Sequence, residues 1–358
     1  MDQGQIKLIR DTYSGKKVFL TGHTGFKGSW LLVWLDSLGC KIKGYSIDES
    51  ILYKKIGGDG LCESVIADIC DKERLKQELL DFEPDFIFHL AAQPLVRLSY
   101  DQPVETFEVN VIGTANLLNS MRYLKKACSS VFITTDKVYE NNEWIYPYRE
   151  NERLGGYDPY SASKAASEIV INSYRNSFFN IDKFSEHQKT IASARAGNVI
   201  GGGDFSKDRI IPDLVKAFQN NEKLIVRNAT SVRPWQHVVE PLGGYLLLGS
   251  LLSSNPKIFG DAWNFGPHST ENVPVKELVD MASKIWGDGI VEYVKNDNEP
   301  HEAGLLKLDI SKANQLLNWF PKYNAMKSVQ VAIEWYKNDL NGNESRELIL
   351  NDIKTYLT

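Results

Sequence analysis

Over its first two hundred residues the chain alternates short apolar runs with longer amphipathic ones, and this alternation restricts the fold more than any other feature. Strand-length apolar runs separated by helix-length amphipathic ones build βαβ units, whose parallel strands form one sheet covered on both faces. The pattern predicts strands over 17–21, 41–47, 63–67, 85–90, 130–135 and 190–194. It predicts helices over 29–38, 71–82 and 103–126, the second with Leu75, Leu79 and Leu80 on one face. From about Gly201 onward loops, scattered aromatics and short helical patterns prevail, which marks a smaller C-terminal lobe.

The 358 residues hold 41 Lys and Arg against 46 Asp and Glu, a net charge of −5. So mildly acidic a chain lacks the basic face that a nucleic-acid backbone requires, while a small anionic ligand needs only one or two arginines in a cleft. Cys40, Cys62, Cys70 and Cys128 form no C-x-x-C pair and no zinc-ligand spacing, so they read as free thiols in a reducing compartment, with no metal site. The N-terminal MDQGQIKLIRDTYSGKK lacks the apolar region of a signal peptide. The apolar stretches 30–35 and 245–252 fall short of the roughly 20 residues that cross a membrane. A cytoplasmic chain that touches neither nucleic acid nor membrane is expected.

The first predicted strand runs straight into Gly22-His23-Thr24-Gly25-Phe26-Lys27-Gly28, with glycines spaced G-x-x-G-x-x-G, and then into a helix. Glycine permits the tight turn and lets a pyrophosphate approach the backbone. The helix N-terminus offers free N–H groups and a partial positive charge. Asp48, twenty residues past Gly28 at the end of the second strand, is placed to bind adenosine ribose hydroxyls. Its carboxylate would repel a 2′-phosphate, so the expected cofactor is NAD and not NADP. His23 and Lys27 are bulky for such a turn, and either touch phosphate or are solvated.

Tyr160-Ser161-Ala162-Ser163-Lys164 opens a helix after Pro159 and puts Tyr160 and Lys164 on one helical face. A neighbouring ammonium stabilises phenolate and lowers the tyrosine pKa from about 10, which makes it a usable base near neutral pH. Thr135, at the predicted end of the fifth strand, supplies a hydroxyl to the same substrate oxygen. Read alone, Y-x-x-x-K more often marks a solvated helical pair; the glycine turn upstream and Thr135 at the strand end shift the balance to catalysis. His89, within FIFHL, reads as a satisfied core histidine.

TGHTGFKG, HLAAQP, TTDKVYE, YSASK and RAGNVIGGGD together resemble the extended short-chain dehydrogenase/reductase family over nearly the whole chain. Within it, GHTGFKGSWL, TTDKVYE and RPWQHVVEPLGGYL resemble the nucleotide-sugar 4,6-dehydratases. The resemblance implies an α/β fold, a Rossmann-type doubly wound parallel sheet with a smaller C-terminal substrate-binding domain. Residues 1–200 would hold NAD and 201–358 mainly the nucleotide sugar, with some later segments returning to the first domain. It implies a lyase that uses NAD within each turnover to dehydrate CDP-glucose to CDP-4-keto-6-deoxyglucose.

In the implied scheme Tyr160, with Lys164 and Thr135, takes the proton of the 4-hydroxyl. Asp136 protonates the departing 6-hydroxyl, and Lys137 serves as C5 base or stabilises the enolate. A lysine base needs a depressed pKa, which burial near another cation provides. The dTDP-glucose dehydratases carry T-D-E where this chain has Thr135-Asp136-Lys137, which leaves the C5 base open. Implied cofactor contacts are Gly22, Thr24, Gly25, Phe26, Lys27 and Gly28 in the turn, Asp48, Asp68 and Ile69 after the second and third strands, and Ala91, Ala92 and Gln93 after the fourth. Tyr160 and Lys164 complete that set. Asn198, Arg209, Arg233 and His301 are the implied sugar-nucleotide contacts, with Glu302 beside the last. Asn110 matches an asparagine with which the family kinks a helix, and Trp235 either packs on the base or fills the small lobe. The family pairs subunits through helices flanking the sheet, which implies a homodimer, with a tetramer as the alternative, and a place in deoxysugar synthesis for a bacterial surface polysaccharide.

Two other readings share part of this machinery. Another nucleotide-sugar enzyme of the scaffold, a dTDP- or GDP-sugar dehydratase or a 4-epimerase, would use Tyr160, Lys164 and the glycine turn. A 4-epimerase has no need of the acid and lysine after Thr135. A non-catalytic NAD-binding regulator would need no phenolate.

Overall fold

Strands Lys17–Thr21 (β1), Lys41–Ser46 (β2), Glu63–Ile66 (β3), Phe86–His89 (β4), Cys128–Ile133 (β5), Lys189–Ala196 (β6) and Ala262–Phe265 (β7) form one sheet in the computed structural model, which describes residues 1–294 and 304–358. All pairings are parallel, in the order β7-β6-β5-β4-β1-β2-β3. Successive side chains of a strand point to opposite faces, so a sheet covered twice needs strands apolar throughout. Val18, Leu20, Phe86, Phe88, Val131 and Ile133 accordingly enter one buried cluster, and Phe19, Ile87 and Phe132 a second one. Helices Phe26–Ser37, Val239–Ser254 and Ala325–Leu340 contribute to the first cluster. Leu75 and Leu79 of Lys72–Phe82, Leu117 and Leu118 of Gly113–Met121, and Ile171 of Pro159–Ser177 contribute to the second. Chain order reverses between β1 and β4, and the carboxyl ends of such neighbours open the crevice in which sheets of this kind bind ligands.

Three elements differ from the sequence reading. The helix after the glycine turn begins at Phe26, not Ser29, so Gly28 lies inside it despite its low helix propensity. A Cβ at Gly28 would sit 1.9 Å from the Gly22 carbonyl oxygen, and this crowding requires the glycine. The single helix expected over 103–126 is broken into Pro103–Phe107, a wider π turn at Glu108–Ile112, and Gly113–Met121. The cause is Asn110, whose side chain accepts from Gln93 N (2.8 Å) and donates to Ser163 Oγ (2.8 Å), tying three segments together. Finally, β5 ends at Ile133, so Thr135 lies beyond the strand and caps a 3₁₀ turn, Asp136–Val138.

Beyond Gly201, β7 joins the edge of the large sheet against β6, while Lys223–Val226 pairs with Ile290–Tyr293 in a separate small sheet. Among the described residues no helix is long and apolar enough to cross a membrane.

Candidate active site

The glycine turn sits at the carboxyl end of β1. Gly22 has φ +72, and a Cβ there would meet Ala91 N at 2.7 Å, which brings the loops after β1 and β4 into contact. Gly25 differs: it is exposed, caps the helix without any side-chain hydrogen bond, and its nearest obstacle to a Cβ is at an ordinary 3.4 Å. The first helical turn thus has uncapped N–H groups beside the exposed Gly25, at the positive end of the helix. Partly exposed Ala91 and Ala92 adjoin the turn, and Asp48 and Asp68 lie exposed past the carboxyl ends of β2 and β3. These features fit an extended dinucleotide: pyrophosphate over Gly25, ribose and adenine toward Asp48 and Asp68.

The other residues of this stretch are more enclosed. Thr24 is buried, with its N–H on Ser46 Oγ (3.3 Å) and its carbonyl accepting from Ser29 Oγ (3.1 Å). Phe26 packs beside Gly201, and Ile69 is buried against Gly113. Gln93 holds its loop, its amide donating to Thr106 Oγ1 (2.9 Å).

Neither sequence alternative describes His23. It is fully buried, its ring nitrogens bonded to Ser46 Oγ and Ser64 Oγ (2.9 Å each), and burial pulls its pKa down to about 4. It is a neutral brace between β2 and β3. His89 is satisfied likewise, by Thr21 Oγ1 (2.7 Å) and Thr114 Oγ1 (3.0 Å). The Lys27 ammonium stands 5.9 Å from the centre of the Tyr245 ring. Burial, then Arg209 and Lys164, brings its pKa down to about 7.

Thr135, Asp136, Tyr160 and Lys164 come together at the end of β5. Helix Pro159–Ser177 starts at the Asp158 cap, which accepts from Ser161 N (2.9 Å) and so fixes the first turn that carries Tyr160. The Tyr160 hydroxyl adjoins that of Thr135 closely enough for Thr135 to bear on its titration, and Thr135 donates to Asp136 Oδ1 (2.9 Å). Asp136 is buried, and its second oxygen, Oδ2, has no hydrogen-bond partner among the described residues. Burial raises its pKa, opposed by Lys137, Thr135, Arg233 and Lys27. A carboxyl so placed holds a proton to higher pH than usual, as a general acid must. Lys137 follows in the 3₁₀ turn, half-buried, its backbone N–H on Thr135 Oγ1 (3.4 Å).

The electrostatics of Tyr160 differ from those expected. The Lys164 Nζ donates to the Ile133 carbonyl (3.1 Å), and burial brings its own pKa down to about 8. The Tyr160 phenol is pushed up to about 12 by burial, with Thr135 and then Arg209 acting the other way.

On the facing side, Arg209 precedes helix Ile210–Gln219 and reaches Asp204 (3.4 Å), close enough to Tyr160 and Lys27 to bear on both. Buried Arg233 donates to the carbonyls of Val232 (3.0 Å) and Gly304 (3.4 Å), and its charge reaches Asp136. Pro234, Pro267, His268 and Leu306 line a groove beside it. Asn198, half-buried after β6, accepts Gln236 N on its carbonyl (3.1 Å). Trp235 fills the small lobe, its indole N–H on Val273 O (3.0 Å). His301 and Glu302 lie outside the described residues. The sequence reading missed Glu168 and Arg195, a buried ion pair (2.9 Å) behind the site. The available signal was Glu168 four residues after Lys164, on the same helical face. Removing one partner of such a pair costs about 3–5 kcal/mol, because it strands a buried charge.

Comparison with known proteins places this geometry. The sequence profile of the GDP-mannose 4,6 dehydratase family matches residues 19–331. The chain is 45% identical over 354 residues to the CDP-glucose 4,6-dehydratase of Salmonella typhimurium, covering 98% of this chain and 99% of that one. It is 27% identical to the CDP-paratose 2-epimerase of Salmonella typhi, over 89% and 98% of the two chains. Among solved structures, the dTDP-glucose 4,6-dehydratase of Bacillus anthracis, in complex with NAD, superposes with a TM-score of 0.76 at 20% identity, over 91% of this chain and 98% of that one. A profile and a relative that each span nearly the whole chain leave one conclusion: this protein belongs to the GDP-mannose 4,6 dehydratase family of extended short-chain dehydrogenase/reductases.

Proposed function

We propose that the chain is an NAD-dependent CDP-glucose 4,6-dehydratase that works in the cytoplasm, where its four unpaired cysteines stay reduced. The observation that carries the reading is the buried, partner-poor Asp136 carboxyl bonded to Thr135 beside Tyr160, since a dehydratase needs an acid where a plain oxidoreductase needs none. Near-full-length identity of 45% to a CDP-glucose 4,6-dehydratase supports the cytidine assignment. NAD, when bound, accepts a hydride and gives it back within one turnover, and its oxidised ring brings a positive charge that favours phenolate.

The chain's own groups do the rest. Tyr160 takes the proton of the sugar 4-hydroxyl while Thr135 holds that oxygen and the Lys164 ammonium supplies positive charge nearby. A 4-keto group acidifies the C5 proton, which Lys137 accepts, or whose enolate Lys137 stabilises. Asp136 gives its proton to the 6-hydroxyl, which leaves as water. Arg209 and Arg233 present guanidinium forks to the diphosphate.

Incubation with NAD and CDP-glucose, followed by the alkaline chromophore of a 4-keto-6-deoxy sugar, tests the reading against a dTDP-glucose control. Turnover of the CDP sugar without net reduced cofactor is expected. Turnover of dTDP-glucose alone would sink the cytidine assignment, and steady accumulation of reduced cofactor would replace the dehydratase with a dehydrogenase.

We further propose a homodimer. Val104 and Phe107 on Pro103–Phe107, Ile112 just after it, and Ile169 on the adjoining Pro159–Ser177 are exposed apolar side chains on neighbouring helices. Ile169→Glu with Val104→Glu should leave a monomer in sedimentation; an unchanged dimer would move the interface elsewhere.

A further inference from the structure

Beneath the catalytic cluster lies a polar network that the proposed chemistry does not use. Glu168 is buried, one helical turn beyond Lys164. Its Oε1 accepts from Thr134 Oγ1 (2.5 Å), and its Oε2 from Ser193 Oγ (2.8 Å) and Arg195 Nη2 (2.9 Å). Arg195 continues the chain through Nη1, which donates to the Tyr139 hydroxyl (2.9 Å) and the Glu150 carbonyl (3.0 Å). Tyr139 in turn donates to Asn264 Oδ1 on β7 (2.7 Å).

The placement of the two rungs carries the argument. Ile133 accepts from Lys164, the next residue, Thr134, donates to Glu168, and the residue after that, Thr135, meets Tyr160. Two successive residues leaving β5 are thus bonded to two successive turns of the helix that carries Tyr160. Among the described residues, Glu168 is the anion that acts on Lys164. The other charged or titratable groups facing that ammonium are Lys27 from the glycine-turn helix and neutral His89 on β4.

We propose that Glu168, braced by Arg195, is a positioning residue that locks the departing end of β5 to the catalytic helix and keeps a counter-charge under the Lys164 ammonium. The inference rests on the dehydratase reading for its kinetic consequence, but the lock and the counter-charge are properties of the protein alone.

Three variants separate the two parts. Glu168→Gln removes the charge, which disfavours the ammonium, so the alkaline limb of kcat should move to lower pH by about one unit, with KM for CDP-glucose changed by less than about threefold. Thr134→Val removes only the hydrogen bond; it should lower kcat about tenfold through misplacement of Thr135 and leave the limb where it is. Glu168→Asp keeps the charge and should restore the limb but not the full rate. A merely structural role would lower thermal stability in all three without moving the limb in Glu168→Gln alone. An NMR titration of labelled Lys164, assigned with Lys164→Arg, reads the counter-charge without turnover, so failure of the CDP-glucose assay remains distinguishable from failure of this proposal. A folded Glu168→Gln with an unshifted Lys164 titration overturns the counter-charge, and a fully active Thr134→Val overturns the lock. Should Glu168→Gln not fold, Glu168→Asp in the same titration and Thr134→Val in kcat decide the two parts.

Discussion

Tyr160→Phe is expected to lower kcat about a thousandfold while the protein melts within a few degrees of the parent. The phenol hydroxyl is the group that meets Thr135, and its removal takes away the base without opening a cavity, since the ring stays. A thousandfold corresponds to about 4 kcal/mol of transition-state stabilisation, the middle of the range that a positioned acid or base supplies. Product formation from CDP-glucose, measured beside a thermal melt, checks it. A variant with more than about a tenth of the parent rate would remove Tyr160 from the proton transfer.

Asp136→Asn should divide the reaction. Burial already favours the neutral carboxyl, so a neutral amide of the same shape disturbs the fold little. What it cannot do is give a proton to a departing hydroxyl. Overall turnover should fall about a hundredfold or more, and the absorbance of reduced nicotinamide, transient in the parent, should build up to about one equivalent per active site. The sign of the pH dependence follows from the same group: activity that needs the protonated carboxyl falls as pH rises through its elevated pKa, and this fall, distinct from the Lys164 limb, should vanish in the variant while the Lys164 limb stays. Loss of rate without accumulation would place the block before Asp136, at the Tyr160 step.

How much of this was legible depended on how local the cause was. β1 and the glycine turn could be read because strand, turn and helix follow one another within a dozen residues and each has its own residue chemistry. The placement of Tyr160 and Lys164 one turn apart on one helix needed only helical spacing. Thr135, Asp136 and Lys137 were nameable through family likeness, but their geometry was not: β5 stops two residues early because Thr134 makes the last sheet bond, to Ala194 O (2.9 Å), and the chain then turns. The direction of the Tyr160 shift was misread because a one-dimensional pattern shows the neighbouring ammonium and hides the burial that outweighs it. His23 was misread for the same reason, its partners Ser46 and Ser64 being supplied by two other strands. β7 left no local signature, whereas the break at Asn110 was foreshadowed by the family likeness of that asparagine, although the partners that make it, Gln93 and Ser163, are distant in sequence.

The late arrival of β7 has a consequence for how the protein is made. β6 is buried along all eight of its residues and pairs with β7 from Ser193↔Ala262 to Ala196↔Phe265. During synthesis that edge must wait some seventy residues for its partner, with a row of unpaired backbone groups of the kind that templates association between chains. Such a long-range closure slows folding relative to local pairing. A nascent or truncated chain ending near Gly201 would therefore carry an unpaired sheet edge, which exposes that interval of synthesis to association between chains.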